Sequence, residues 1–400
     1  MRILVLEKYP SSDRGGQERS LVDVMQQLAQ QGHRITLLHA NPGDLLPRYE
    51  TFCDRILPVH GFALSPRLKP TPWQFFQDLQ RVKRWLADWK REQADPSDSG
   101  TLIYINQFYD APFAAHLSRS LKLPLVCHLR LPAPERLDWQ RRWALQQIDQ
   151  FIAVSAANRQ GWLPQVTAPI AVVHNGMHPA QFQRQQTLAE LRQQWQIPVS
   201  DRVIAYVGRL DRRKGLETLI KAFAQVQHQQ PHSRLVIAGK PLLDAASYRT
   251  ELETLATELG LADRVRFLGH VPNATAIFQL SDVAVVPSQW AEPCARSIIE
   301  AMLSGTPVIA SRVGGNVELL GDDFAAGLFT AKDVDHLAQT LMAHLNWRDA
   351  QPELGDRIAQ AAKARFNLAD KVDSIAQIMA QTLTPQPQPH PIVGYRPIES

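Results

Sequence analysis

Four hundred residues, 44% hydrophobic and 20% charged, are more than one hydrophobic core usually spans, so two folded domains of roughly 150–200 residues each are expected. Lys and Arg number 43 against 39 Asp and Glu, a net charge of +4, which is too mild an excess to call for a nucleic-acid partner. Cys53, Cys127 and Cys294 form an odd, widely spaced set and no His-Glu-x-x-His occurs, which excludes a disulfide framework, a Cys-rich zinc module and a metal site of the His-Glu type.

The chain opens on a short apolar stretch from Ile3 to Leu6, followed at once by Glu7 and Lys8. That is too short for a secretory signal, and no apolar run approaches the roughly 18 residues that cross a bilayer. A cytoplasmic location is expected. Strand-length apolar runs then alternate with helix-length amphipathic stretches, and the pattern predicts buried strands over 3–6, 34–39, 102–105, 125–127, 151–154 and 170–173, with helices between them. Within this half, residues 72–92 carry Trp73, Phe75, Phe76, Leu79, Val82, Trp85, Leu86 and Trp89 at mostly helical spacing, with Arg81, Lys83, Arg84, Lys90 and Arg91 elsewhere. Such a helix covers the sheet with its stripe in the core, or rests on an anionic membrane surface through residues 73–91. His174-Asn175-Gly176 closes the first sheet ahead of a Gln-rich polar stretch over 179–196, which puts a hinge near Gly176 and an N-terminal domain over 1–176.

The second half repeats the rhythm, with strands over 203–207, 234–238, 265–268, 283–286 and 308–310 and helices over 215–229, 245–259 and 295–304, in a domain over 177–365. A long helical stretch over 354–383 follows. Its part over 366–383 is expected to return to the N-terminal domain, and a proline-dense tail over 384–400 favours extended chain. The fold class is α/β, with two doubly wound parallel sheets whose carboxyl ends face a cleft.

Two motifs stand at such strand ends. After the strand over 203–207 comes Gly208-Arg209-Leu210-Asp211-Arg212-Arg213-Lys214-Gly215, then a helix. Arg209 offers a planar fork and Lys214 a point charge, a pair suited to a diphosphate, although four cations in six residues also describe a solvated loop. After the strand over 283–286 comes Glu292-Pro293-Cys294-Ala295-Arg296-Ser297-Ile298-Ile299-Glu300, with Pro293 expected in the first turn of a helix. Each glutamate can accept two hydrogen bonds from adjacent sugar hydroxyls, and the backbone N–H groups of Arg296, Ser297 and Ile298 are left to hold phosphate.

These residues, with Pro287-Ser288, Gly305-Thr306-Pro307-Val308-Ile309-Ala310 and Gly314-Gly315-Asn316-Val317-Glu318, resemble the retaining glycosyltransferases of family 4 in order and spacing. His174-Asn175-Gly176 and Gly15-Gly16-Gln17-Glu18 extend the resemblance over most of the chain. It implies the GT-B fold, two Rossmann-like domains facing a cleft, a nucleoside-diphosphate-sugar donor held mainly by the C-terminal domain, a hydroxyl acceptor at the N-terminal domain, and no metal ion or further cofactor. By motif, Arg209 and Lys214 hold the diphosphate, Glu292 the donor sugar and Glu300 the ribose. Gly15 and Gly16 let the first loop approach the donor phosphate, and His128 lies beside the donor sugar. The pattern departs from the family at Cys294-Ala295, where Phe-Gly is frequent, at Arg296, where an apolar residue is common, and at Met177-His178, where an apolar residue and aspartate are usual.

The resemblance thus points to a metal-independent hexosyltransferase acting by front-face displacement, its acceptor lipid-linked, polysaccharide or a small glycan. A nicotinamide oxidoreductase lacks support, because no Gly-x-Gly-x-x-Gly follows the first strand. A non-catalytic GT-B protein that binds a sugar nucleotide or a partner is the remaining alternative.

Overall fold

The computed structural model describes residues 1–62, 71–92, 100–241 and 246–384, with only the backbone described at 14, 89–92 and 246. The expected tail beyond Thr384 and the side chains of Trp89, Lys90 and Arg91 lie outside the described residues. Seven strands, β1 (Arg2–Glu7), β2 (Arg34–His39), β3 (Arg55–Pro58), β4 (Thr101–Ile105), β5 (Leu125–Leu129), β6 (Gln150–Ala153) and β7 (Ile170–Val172), form one parallel sheet in the order β3-β2-β1-β4-β5-β6-β7. Six more, β8 (Arg202–Val207), β9 (Ser233–Ala238), β10 (Val265–Gly269), β11 (Val283–Val286), β12 (Val308–Ser311) and β13 (Leu328–Phe329), form a second parallel sheet in the order β10-β9-β8-β11-β12-β13.

Side chains alternate across each strand, and because helices cover both sheet faces both sets are apolar. Ile3 and Val5 of β1 join Leu21, Met25 and Leu28 of the helix Gly16–Gln30 on one face, whereas Leu4 and Leu6 join Phe75, Leu79, Val82 and Leu86 of the helix Pro72–Glu92 on the other. The stripe of that second helix is therefore core. At its start, however, Trp73 is 71% and Phe76 50% exposed, and Arg81 is tied to Asp78 and to the Pro58 carbonyl. Among the described residues no helix is long and apolar enough to cross a membrane.

Three features depart from the sequence reading. β3 is a half-exposed edge strand ending in Pro58, and β13 has two residues, so neither leaves an apolar run to detect. The stretch over 354–383 is two helices, Leu354–Phe366 and Leu368–Leu383, broken at Asn367, whose side chain accepts from the Ala369 N–H. At the break the chain pairs with the linker: Met177 N–H donates to the Phe366 carbonyl at 2.9 Å and Leu368 N–H to that of Met177 at 2.9 Å. Beyond it, Leu368, Val372, Ile375 and Met379 pack with Leu21, Met25 and Leu28 of the helix Gly16–Gln30.

In each sheet the strand order reverses beside the first strand, between β1 and β4 and between β8 and β11. The crevice outside such a reversal is where open α/β sheets bind ligands.

Candidate active site

On the C-terminal side, β8 runs into Gly208 and a loop ending in the short turn Arg212–Lys214. Gly215 has φ +70°, and a Cβ there would stand 2.1 Å from the Pro287 carbonyl oxygen, so only glycine lets this loop pack against the one after β11. The four cations of the loop separate. Arg213 is bonded to Asp211, whose carboxyl those bonds hold down at about 2. Arg212 pairs with Glu217 and Glu251 and lies over the Tyr248 ring. Arg209 is half-buried, and its guanidinium donates no hydrogen bond to a described residue. Lys214 turns inward, its Nζ 2.7 Å from Glu292 Oε2, an oxygen that also accepts from Ser288 Oγ at 3.0 Å and Trp290 Nε1 at 2.8 Å. The sugar-facing carboxylate of the sequence reading is thus buried and already satisfied on one oxygen by a cation, a hydroxyl and an indole.

The helix after β11 starts at Arg296, close to the expected 295–304, but Pro293 lies ahead of it and not in its first turn: Ala295 is extended, and Glu292 and Pro293 pack against Gly314 and Gly315. Glu300 stands about one turn into the helix. Ile298 N–H bonds the Ala295 carbonyl at 3.2 Å and is not available as expected, while the Arg296 and Ser297 N–H groups keep the orphan character of a helix start. The Arg296 side chain crosses the cleft: its Nη1 lies 2.7 Å from Ser20 Oγ and 3.5 Å from Asp23 Oδ2, and its Nε 3.5 Å from Glu300 Oε1. A Cβ on Gly16 would lie 2.5 Å from Arg296 Cδ. The space beside Gly16 is therefore occupied by Arg296, and Gly15, at φ +149°, opens the helix to it.

On the N-terminal side, β5 ends in His128 and Leu129, with Arg130 directly after it. His128 is buried; its Nδ1 meets the Tyr104 hydroxyl and lies 3.3 Å from Arg130 Nη2, while its Nε2 has no partner. Burial, then the Arg130 charge, drives its pKa well below the ordinary imidazole value. Arg130 also donates to Asn106 Oδ1 at 2.6 Å and to Asn175 Oδ1, and Asn175 Nδ2 in turn donates to the Cys294 carbonyl at 3.2 Å. Beneath lie Glu7, Glu18 and Asp110, all buried. Burial, with help from Glu18 and Asp110, raises Glu7 well above the carboxylate range, and burial against the opposing charge of Lys8 leaves Asp110 at about 7. Tyr104, Asn106, Asp110 and Arg130 were not singled out from the sequence.

Residues 189–365 match the family described as Glycosyl transferases group 1, and residues 14–181 match Glycosyltransferase Family 4. The chain belongs to the GT-B glycosyltransferases of group 1. The D-inositol 3-phosphate glycosyltransferase of Corynebacterium kroppenstedtii is 29% identical over 200 residues, 49% of this chain and 44% of that protein. An uncharacterized glycosyltransferase of Methanocaldococcus jannaschii is 33% identical over 174 residues, 42% of this chain and 43% of its own length. The chain thus spans less than half the length of the curated relatives it matches. Among solved structures, Anabaena HepE in complex with UDP superposes with a TM-score of 0.79 at 25% identity, covering 95% of this chain and 100% of that one. Sucrose-phosphate synthase from Thermosynechococcus elongatus, at 23% identity and a TM-score of 0.70 over 95% and 98% of the two chains, shares the fold.

One motif residue of this group 1 glycosyltransferase has a place that its sequence did not reveal. Glu318, in the helix Asn316–Leu320, reaches across to the N-terminal domain, where its two oxygens accept from Ala156 N–H at 2.7 Å and Ala157 N–H at 2.8 Å, with His174 Nε2 at 3.3 Å. Gly315 makes room, since a Cβ there would stand 3.1 Å from Ser155 Cβ and 2.2 Å from the Pro293 carbonyl oxygen. Burial pushes the Glu318 carboxyl up, but the bonds from His174, Ala157 and Ala156 outweigh it and hold the carboxyl below its ordinary value.

Proposed function

We propose that this chain is a retaining hexosyltransferase that moves a hexosyl group from a nucleoside-diphosphate sugar to a hydroxyl acceptor without a metal ion. The observation that carries the reading is the half-buried Arg209 guanidinium, unengaged by described residues, in the same loop as Lys214 at the carboxyl end of β8. A planar fork next to an ammonium answers the charge of a departing diphosphate, which is the service a divalent ion gives elsewhere. The UDP bound by HepE supports a nucleotide donor, and the inositol-phosphate relatives support a hydroxyl acceptor.

In this reading the diphosphate binds Arg209, Lys214 and the N–H groups of Arg296 and Ser297, with Ile298 contributing only as its bond to Ala295 opens. Lys214 then exchanges Glu292 for phosphate, which leaves the Glu292 carboxylate to accept from donor-sugar hydroxyls. Glu300 accepts from the ribose, Gly15 and Gly16 face the donor phosphate as Arg296 shifts, and His128 faces the sugar. The bond between the anomeric carbon and the diphosphate oxygen breaks as the acceptor oxygen attacks the same face, and the leaving phosphate takes the acceptor proton. The acceptor crevice lies outside β1 and β4, and peripheral contact with an anionic membrane on the cytoplasmic side is assigned to Trp73 and Phe76. The test is donor turnover over a panel of nucleotide sugars with chelator present, followed by NMR assignment of the product anomer. An inverted linkage, or activity that requires magnesium or manganese, overturns the reading.

A further inference from the structure

His128 sits against two groups that can only give or relay hydrogen. Arg130 Nη2, 3.3 Å from His128 Nδ1, belongs to a guanidinium, which has five N–H donors and no acceptor. A proton on Nδ1 would face that donor, so Nδ1 must be the lone-pair nitrogen. The Tyr104 hydroxyl stands on the same Nδ1. With no proton on Nδ1 for it to accept, the hydroxyl gives its hydrogen to the imidazole, so Tyr104 and Arg130 both present donors to Nδ1. The guanidinium cannot swing away, because Asn106 and Asn175 accept from its remaining nitrogens. A neutral imidazole with a lone pair on Nδ1 carries its proton on Nε2, and Nε2 is the buried atom that has no partner.

We propose that Tyr104 and Arg130 are positioning residues that hold His128 neutral with its proton on Nε2, so that it offers one hydrogen-bond donor to an oxygen of the transferred sugar and cannot act as a general base. The inference rests on the glycosyltransferase reading only for the identity of the oxygen; the tautomer follows from the protein's own contacts. Strand geometry makes the arrangement possible. Tyr104 of β4 pairs with Val126 of β5, and His128 and Arg130 follow Val126 at steps of two, so all four face the same side of the sheet. The burial and cationic neighbour that keep His128 from taking a second proton agree with this assignment. Its chemical consequence is directional. A sugar hydroxyl that accepts from Nε2–H keeps its own hydrogen for another acceptor, and the acceptor proton must leave by a route other than this imidazole.

The test is a long-range proton–nitrogen NMR correlation on histidine-labelled full-length protein, with His128 assigned by its loss in His128→Gln. In the ligand-free protein the His128 ring should show one protonated nitrogen, Nε2, and Nδ1 as a bare acceptor. Arg130→Gln and Tyr104→Phe each remove one donor, and in either variant the Nδ1-protonated or doubly protonated form should become visible while the wild-type ring stays in one form. Donor turnover should fall at least tenfold in both variants. Addition of UDP should leave the Nε2 resonance in place, and addition of UDP-glucose should move it. A wild-type ring protonated on Nδ1, or on both nitrogens, overturns the proposal. A bound UDP-glucose, established by calorimetry, that leaves Nε2 unmoved overturns the sugar contact. Failure of the wild type to bind any nucleotide sugar instead counts against the glycosyltransferase reading, and the tautomer measurement stands apart from it.

Discussion

Replacing Glu318 by glutamine tests how the two domains are held together. The carboxylate caps two backbone N–H groups, those of Ala156 and Ala157, which open the helix Ala156–Trp162, while Ser155 Oγ takes the Asn158 N–H. A glutamine presents one oxygen and turns an NH2 toward the other N–H, so one donor loses its partner and the charge is gone. Hydrogen bonds to a charged group contribute about 1.5–3 kcal/mol each, and the favourable placement of negative charge at a helix start adds about 0.3–1 kcal/mol. With the Glu318 side chain about a quarter exposed, the lower half of the combined range is appropriate, a loss of about 1.5–3 kcal/mol. That corresponds to a roughly 10- to 150-fold rise in the open fraction at this contact. Hydrogen exchange at the Ala156 and Ala157 amides reads that fraction directly, and their protection should fall by the same factor in Glu318→Gln. The sign with pH follows from the depressed carboxyl pKa. The contribution to closure is fully present above the ordinary glutamate value of about 4.3 and is lost as pH falls through the lower, folded-state value. Wild-type protection should therefore hold on acidification to about pH 5 and decline below, whereas that of the variant should not show this step. Unchanged protection of Ala156 and Ala157 in Glu318→Gln would refute the reasoning.

Arg209→Ala or Lys214→Ala should cost at least about 2–3 kcal/mol of transition-state stabilisation, by analogy with loss of a preorganised donor, and wild-type turnover should persist in EDTA; kcat/KM with and without chelator checks both. Glu292→Gln should impair turnover more than nucleotide binding, and Glu300→Gln should weaken free nucleotide, so calorimetric titration with nucleoside diphosphate should separate the two; equal losses would contradict the assigned roles. Replacing Trp73 and Phe76 together by alanine should reduce co-sedimentation with anionic vesicles at low salt while leaving the melting temperature within a degree or two, because both side chains project outward from a helix whose core stripe is elsewhere; equal sedimentation of the double variant would return the membrane contact to no role for this helix.

The fold was legible where burial is complete. β1, β2, β4, β5, β6, β8, β9, β11 and β12 are apolar on both faces, and such runs announce themselves without alternation, while the partly buried edge strands β7 and β10 were readable from their short apolar runs alone. β3 and β13 gave no such signal, since the first is half-exposed and the second only completes an edge. The break at Asn367 was hidden for a different reason: both flanking segments form good helices, and the interruption comes from pairing with Met177, nearly 200 residues away. At the candidate site, Arg209, Lys214, Glu292 and Glu300 could be singled out because they sit in two short local motifs. Tyr104, Asn106 and Arg130 were not, because each looks like one polar residue at the end of a buried strand. A signal did exist. His128 and Arg130 are two apart, hence on one side of β5, and two ionisable groups on the buried side of a central strand require partners.

Arg296 shows why the cleft depends on so few groups. The sequence singled out its backbone N–H for phosphate and its side chain only as a departure from an apolar position, yet that side chain joins Glu300 of the helix Arg296–Leu303 to Ser20 and Asp23 of the first N-terminal helix. Other polar bonds across the cleft among the described residues include Asp13 with Lys240, Asn175 with the Cys294 carbonyl, and Glu318 with two backbone amides and His174. The apolar cores, in contrast, stay largely with their own sheets, β1 to β6 with the helices Pro72–Glu92 and Gly16–Gln30, and β8 to β12 with the helices Leu216–Gln229 and Arg296–Leu303. Apolar burial scales with area and fixes each domain firmly, whereas exposed or half-exposed ion pairs such as Asp13–Lys240 contribute about 0–1 kcal/mol. Each domain can therefore remain folded while the cleft opens. The contacts of Arg296, Asn175 and Glu318 each lie on the scale of a few kcal/mol, on which a bound ligand can shift a two-state balance.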